Sequence, residues 1–125
     1  MSTHELPTRF TRLLGVRHPV MQEGLGPYKT VRLAAAVATA GGLGTVSIPG
    51  ISEEASVGAR KLRGYIEQAC ALTDGALAVN VPVGADKVTG KALPFSAAYV
   101  SAVVEAVKDP AIAKRLRVIT TSAGP

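Results

Sequence analysis

At 125 residues, with 47% hydrophobic and 18% charged side chains, the chain has the size and makeup of one folded domain rather than of a disordered segment. The formal net charge of +5 invites a nucleic-acid partner, but the basic residues are scattered, aromatic content is only 4% and tryptophan is absent, which argues against it. A single cysteine, Cys70, excludes an internal disulfide and fits a reducing cytoplasm, and no apolar run approaches the roughly 20 residues that cross a bilayer.

The opening MSTHELPTRF lacks the apolar core of a secretory signal, so a soluble cytoplasmic protein is expected. Phe10, Leu13 and Leu14 are spaced for one side of a short helix that Gly15 would end, a plug for one end of a larger structure. Val20 and Met21 form the centre of a short strand, with Pro19 tolerated at its start because a first strand residue need not donate to a ladder. His18 reads as a strand-edge histidine. Glu23-Gly24-Leu25-Gly26-Pro27 is a glycine-bearing loop at the carboxyl end of that strand, where a backbone can approach a flat or charged ligand. Glu23 itself reads equally as a ligand-binding or proton-accepting group and as a solvated loop carboxylate.

Thr30 is placed to cap a helix running to about Ala40, with Leu33, Ala34, Val37 and Ala38 on its apolar face and Gly41-Gly42 stopping it. Leu43 to Ile48 carries β-branched residues at 45, 46 and 48 and predicts a strand, ended by Pro49-Gly50. Gly41-Gly42-Leu43-Gly44 is not a dinucleotide loop, because it follows a helix and opens a strand. Ser52 is a second N-cap, with Glu53 and Glu54 in the first turn of a helix that passes through Leu62, Ile66 and Ala69 to about Leu72. Gly58 and Gly64 each cost that helix about 1 kcal/mol relative to Ala, which predicts a bend near Gly58.

Thr73-Asp74-Gly75 is a turn. Ala76 to Val83 is the continuous apolar run of a strand buried on both faces, interrupted only by Asn80. A buried amide needs hydrogen-bond partners, so Asn80 either stitches neighbouring strands or reaches a ligand at the strand's end. An exposed loop fills 84 to 94. Phe95 to Lys108 predicts a helix with Phe95, Tyr99, Val103 and Val107 on its core stripe and Val100 and Val104 beside it. Asp109-Pro110 interrupts, a helical turn carries Lys114 and Arg115, and Arg117 to Ser122 forms the last strand.

Strand and helix alternate through four strands, which implies an α/β protein with a parallel sheet and right-handed crossovers. An open doubly wound sheet and the first half of an eight-stranded barrel, whose usual length is about 250 residues, both satisfy the order. In either, ligand residues collect at strand carboxyl ends, here Gln22 to Gly26, Ser47 to Gly50, Asn80 to Gly84 and Thr121 to Gly124. Walker loops, paired cysteines, metal-spaced histidines and a Ser-His-Asp set are all missing from the sequence, and Cys70 lies in a helical pattern that suits a small buried thiol.

TRFTRLLGVRHPVMQ, the glycine loop, LAAAVATAGGLGTVS, LTDGALAVNVPV and VITTSAGP together resemble the N-terminal half of the nitronate monooxygenase family, the former 2-nitropropane dioxygenases. The resemblance runs from about Thr8 to Pro125 and implies the first half of a (β/α)8 TIM barrel, residues 1–125 forming a single partial FMN-binding domain that stops at Pro125. It implies FMN at the carboxyl rim, oxidation of alkyl nitronates with dioxygen, and a small nitronate-like substrate, with no nucleic-acid or membrane partner. Carried over residue by residue, Gln22 matches the family's Gln-Ala-Pro-Met loop while Glu23, Gly24 and Leu25 depart from it. Asn80 matches the asparagine that approaches the flavin, and Ser122 falls where the fourth strand reaches the rim. The phosphate-holding glycine segments and the catalytic histidine of the family belong to later strands. The expectation is therefore a chain inactive alone, which pairs with another copy or with a complementary half-barrel chain. Two alternatives stand beside it: a non-catalytic half-barrel subunit, and part of an FMN-dependent enoyl reductase using NAD(P)H.

Overall fold

The computed structural model describes residues 4–51 and 54–122. Helix α1 (Arg9–Leu14) opens on a reciprocal cap, in which the Thr8 hydroxyl accepts the Thr11 N–H at 3.1 Å and the Thr11 hydroxyl accepts the Thr8 N–H at 2.8 Å. Gly15 ends it in the left-handed conformation at φ 65°. Helix α2 (Val31–Thr39) stops at Gly41, whose φ of 100° suits only glycine, and the chain turns directly into β1 (Gly44–Ser47). Helix α3 (Ala55–Leu72), strand β2 (Leu77–Pro82), helices α4 (Pro94–Ala106) and α5 (Pro110–Ala113), and strand β3 (Leu116–Ser122) follow.

The strands lie parallel in the order β1-β2-β3, with Ser47, Asn80 and Thr120 side by side. Because side chains alternate across a strand, the sheet has two distinct faces. One carries Val46, Ile48, Leu77, Val79 and Val81 and packs on Leu62, Ile66 and Ala69 of α3, Tyr99 and Val103 of α4, and Ala34 and Ala38 of α2. The other carries Leu43, Ala76 and Ala78, and is covered at the amino end by Leu14, Val16 and Phe10. The plug expected from the N-terminal helix is in place through Phe10 and Leu14, whereas Leu13, expected on the same side, is 78% exposed.

Several expectations need correction. Of four strands, three pair as strands. The segment around Met21 contributes one parallel bridge to Leu43, because Val20 is 58% exposed and beyond Gln22 side chains replace backbone along the β1 edge. Thr30 stands at the N-cap of α2 but makes no capping bond. Its hydroxyl instead donates to the Thr45 carbonyl at 3.0 Å and accepts the Ser47 N–H at 3.0 Å. Leu33 faces out, and the buried face of α2 is Val31, Ala34, Ala35 and Ala38. Ser52 and Glu53 lie outside the described residues; the cap of α3 is Glu54, whose carboxylate accepts the Ser56 N–H at 3.1 Å. The Ser56 hydroxyl, donating to the same carboxylate at 2.6 Å, and then the Ser56 N–H hold the Glu54 carboxyl below its usual range. Helix α3 runs through Gly58 without a break, and a Cβ at Gly58 would meet the Tyr99 ring of α4. Val104, expected beside the core stripe, is half exposed.

Candidate functional site

The carboxyl ends of the strands share one rim, and the loop 22–27 is tied down onto it. The Gln22 N–H donates to the Leu43 carbonyl at 3.0 Å, its side-chain amide exchanges two bonds with the Thr45 backbone, and the Leu25 N–H donates to the Ser47 hydroxyl at 2.7 Å. Glu23 and Gly24 are thereby carried over the ends of β2 and β3. The Glu23 carboxylate accepts the Gly24 N–H at 3.0 Å and lies 3.4 Å from both Asn80 Nδ2 and Thr120 Oγ1.

Asn80 is the centre of the arrangement. Only 8% exposed, it donates from Nδ2 to Thr120 Oγ1 at 3.0 Å and accepts at Oδ1 from the Ser122 hydroxyl at 3.1 Å. The buried amide therefore both stitches β2 to β3 and faces the rim loop. Gly24 sits directly against it; a Cβ there would come within 2.7 Å of the Asn80 Cβ, so the loop can close only over glycine.

Beside this network lies a cleft of about 540 Å³. Gly24, Asn80 and Ser122 form its polar side, and Ile48, Pro82 and Phe95 its apolar walls. The Tyr99 hydroxyl supports one lip from below by donating to the Gly50 carbonyl. Among the described residues, no group of three or more His, Cys, Asp or Glu side chains is arranged to hold a metal ion. A second depression, of about 700 Å³, lies at the opposite end of the strands and includes none of the rim residues.

Of the residues singled out in the sequence, Glu23, Gly24, Asn80 and Ser122 meet on this rim. The Gln22 side chain is occupied with β1, and the exposed Leu25 contributes its backbone N–H. Thr120 is the participant that sequence reasoning missed. Two residues before Ser122 on the same face, and level with Asn80 across the ladder, it is identified by strand register rather than by composition.

Parallel strands alternating with helices, with polar side chains gathered at the carboxyl ends, define an α/β protein, and the likeness to FabK given below makes it part of a (β/α)8 barrel. The family model for nitronate monooxygenase matches residues 7–121, and the chain belongs to that family of oxidoreductases. It is 42% identical over 73 residues to a nitronate monooxygenase of Pseudomonas aeruginosa, a match covering 58% of this chain and 19% of that protein. It is also 40% identical over 81 residues to the (3aS,4S,5R,7aS)-5-hydroxy-7a-methyl-1-oxo-octahydro-1H-indene-4-carboxyl-CoA dehydrogenase of Rhodococcus jostii, covering 65% of this chain and 21% of that one. Among solved structures, the M276A mutant of FabK from Thermotoga maritima superimposes with a TM-score of 0.68 at 30% identity, over 95% of this chain and 33% of that one. The chain thus spans about a fifth of the length of the curated relatives it matches.

Proposed function

We propose that the chain forms the carboxyl-rim wall of an FMN-dependent oxidoreductase that oxidises a small nitronate-like substrate with dioxygen. The observation that carries this reading is the convergence of Gly24, Asn80 and Ser122 on one cleft, in a chain of the nitronate monooxygenase family. The residues present suit the ring of FMN. Apolar walls at Ile48, Pro82 and Phe95 match a flat aromatic face, and the amide and hydroxyl of Asn80 and Ser122 match polar ring edges. Among the described residues no Lys or Arg lines the cleft, so the ones that do line it are not suited to hold the phosphate.

When bound, FMN would supply the electron acceptor. This chain's own residues bind and orient. Gln22 and Ser47 fix the 22–25 loop, Asn80 is held in one orientation by Thr120 and Ser122, and Tyr99 props the lip at Gly50. A site with every supporting bond already made loses little ordering free energy on binding. On the same reading the protein works in the cytoplasm. Among the described residues no helix is long and apolar enough to cross a membrane.

The test is flavin absorbance of the purified whole protein before and after reconstitution with FMN, followed by oxygen uptake with an alkyl nitronate. Flavin retention and nitronate-dependent uptake support the proposal; a well-folded protein that rejects FMN overturns it. A second reading, an FMN-dependent enoyl reductase, draws on the likeness to FabK. Consumption of NAD(P)H with an enoyl substrate, without nitronate-dependent oxygen uptake, would select it.

A further inference from the structure

We propose that the depression at the amino end of the sheet is a second ligand site, one that takes the phosphate group of a small molecule. It stands independently of the flavin reading, because it shares no lining residue with the rim cleft.

Its walls are poor in side chains and rich in backbone. Gly15, Gly41, Gly42 and Gly75 help to line a space of about 700 Å³, within the range of roughly 300–1,000 Å³ usual for small-molecule sites. Two of these glycines make room for arginines. Gly41 holds a φ of 100°, and a Cβ on it would come within 2.8 Å of Arg17 Nε. Gly15 holds a φ of 65°, and a Cβ on it would meet the Arg117 guanidinium. Arg17 and Arg115 line the depression, and Arg117 stands behind Gly15.

The hydrogen-bonding groups here select for an acceptor. The carbonyls are already taken: Ala40 O by Arg17, Thr73 O and Ala111 O by Arg115, Leu14 O by Arg117, and Gly41 O by the backbone N–H groups of Arg17 and His18. Donors are left over. Among the described residues the Arg17 side chain makes no bond beyond that to Ala40 O at 3.2 Å, which leaves its Nε and Nη1 hydrogens uncommitted. The Thr39 and Thr73 hydroxyls lie 2.9 Å apart, and whichever of them donates, the proton of the other is unspent. Thr39 directly precedes the residue whose carbonyl Arg17 holds, so these donors are neighbours. Spare N–H and O–H donors beside a guanidinium call for a ligand group that only accepts and carries negative charge, as a phosphate does.

The opposing charges are engaged. Asp74, the one carboxylate on the lining among the described residues, has a 98% exposed side chain and accepts from Arg115 at 2.8 Å. Glu67 and Asp109, whose charges reach Cys70 on the same wall, lie outside the lining and accept from Arg63 Nε and the Ala111 N–H. The carboxyl ends of α2 and α3 bring negative dipole ends here, and Arg17 and Arg115 are the cations that meet them.

The probe is inorganic pyrophosphate, titrated into the ¹⁵N-labelled whole protein beside sodium chloride at matched ionic strength, while the amide resonances of Gly41, Gly42 and Gly75 are followed. Saturable shifts at these glycines with pyrophosphate alone are expected. Arg17→Gln should weaken binding about tenfold. Arg17→Lys, which keeps the charge, and Lys91→Ala, which removes one from the remote 84–93 loop, should each stay within about threefold. Arg17 is exposed, so the Tm of its variants should match that of the natural protein, whose own titration decides the matter whatever the variants do. No saturable shift, shifts that chloride reproduces, or an Arg17→Gln variant that loses no more than Lys91→Ala overturns the proposal. Flavin binding is measured separately by absorbance: a protein that rejects FMN yet shows these shifts loses the flavin reading and keeps this one.

Discussion

At Gln22 a side chain replaces a stretch of strand: its Oε1 accepts the Thr45 N–H at 3.0 Å and its Nε2 donates to the Thr45 carbonyl at 3.1 Å. Gln22→Leu would strip the Thr45 N–H of this partner, whereas the Thr45 carbonyl keeps the Thr30 hydroxyl. It should cost about 1–2 kcal/mol, since a buried polar group stripped of its bond costs about 1 kcal/mol or more. Chemical denaturation measures it, and a loss under about 0.5 kcal/mol would show that the sheet edge is satisfied another way. Gly24 is equally exacting for a different reason, because a methyl at this position meets the Asn80 side chain. Cys70 gives a residue-scale prediction in pH. Burial pushes its thiol up from the ordinary range, with the nearby Arg115 opposing it more weakly. The folded thiol thus holds its proton to higher pH than the unfolded one. Stability should fall as pH rises through the ordinary thiol range, and alkylation by iodoacetamide should be slower in the folded protein than in the denatured one at any pH near 8. Equal rates in the two states would contradict the burial argument.

Helix α3 and helix α4 are locked where Gly58 faces Tyr99. By propensity alone Gly58→Ala should stabilise α3 by about 1 kcal/mol. The new Cβ, however, would come 3.0 Å from Tyr99 Cζ and closer still to its hydroxyl, driving the ring off the Gly50 carbonyl. Overpacking of this kind costs about 1–3 kcal/mol, so a net loss is expected, and a raised Tm would refute the packing argument. The same contact shows that glycine at 58 serves a neighbouring helix, which composition along one element does not reveal. Helix and strand centres were legible because periodicity records which face is buried. The first strand was overestimated because satisfaction of the β1 edge by Gln22 and Thr30 is a matter of side chains reaching across 15 to 23 residues. In the candidate site, Asn80 was conspicuous as the one polar residue in an apolar run. Thr120 was not, because its role depends on the register of β3 against β2. The 84–93 loop carries its own order: Asp86 accepts the N–H of Thr89 and that of Val88, which hold its carboxyl below the usual range. The turn should therefore persist as pH falls and open only below ordinary aspartate pKa values, as amide exchange at Thr89 would report.

Over the whole molecule the surplus of positive charge is partly spent on helix ends. At the amino end of the sheet, Arg17 donates to the Ala40 carbonyl behind α2, and Arg115 to Thr73 behind α3 and Ala111 of α5, while Arg117 reaches Leu14 at the end of α1. Helix C-termini present unsatisfied carbonyls and the negative end of the helix dipole, so a cation there answers both. This dispersal agrees with the scattered spacing of basic residues in the sequence. Arg115 has the most to lose, with bonds of 2.7 Å to each of two carbonyls and 2.8 Å to Asp74. Asp74 is almost fully exposed, so that pair adds little. Arg115→Ala should thus cost about 2 kcal/mol through its carbonyl bonds, and Lys91→Ala, on an exposed loop, within about 0.5 kcal/mol. Because the larger loss comes from hydrogen bonds rather than from a screened ion pair, it should survive 0.5 M salt. If salt erased the difference between the two variants, long-range charge, and not the capping of helix ends, would be what the arginines contribute.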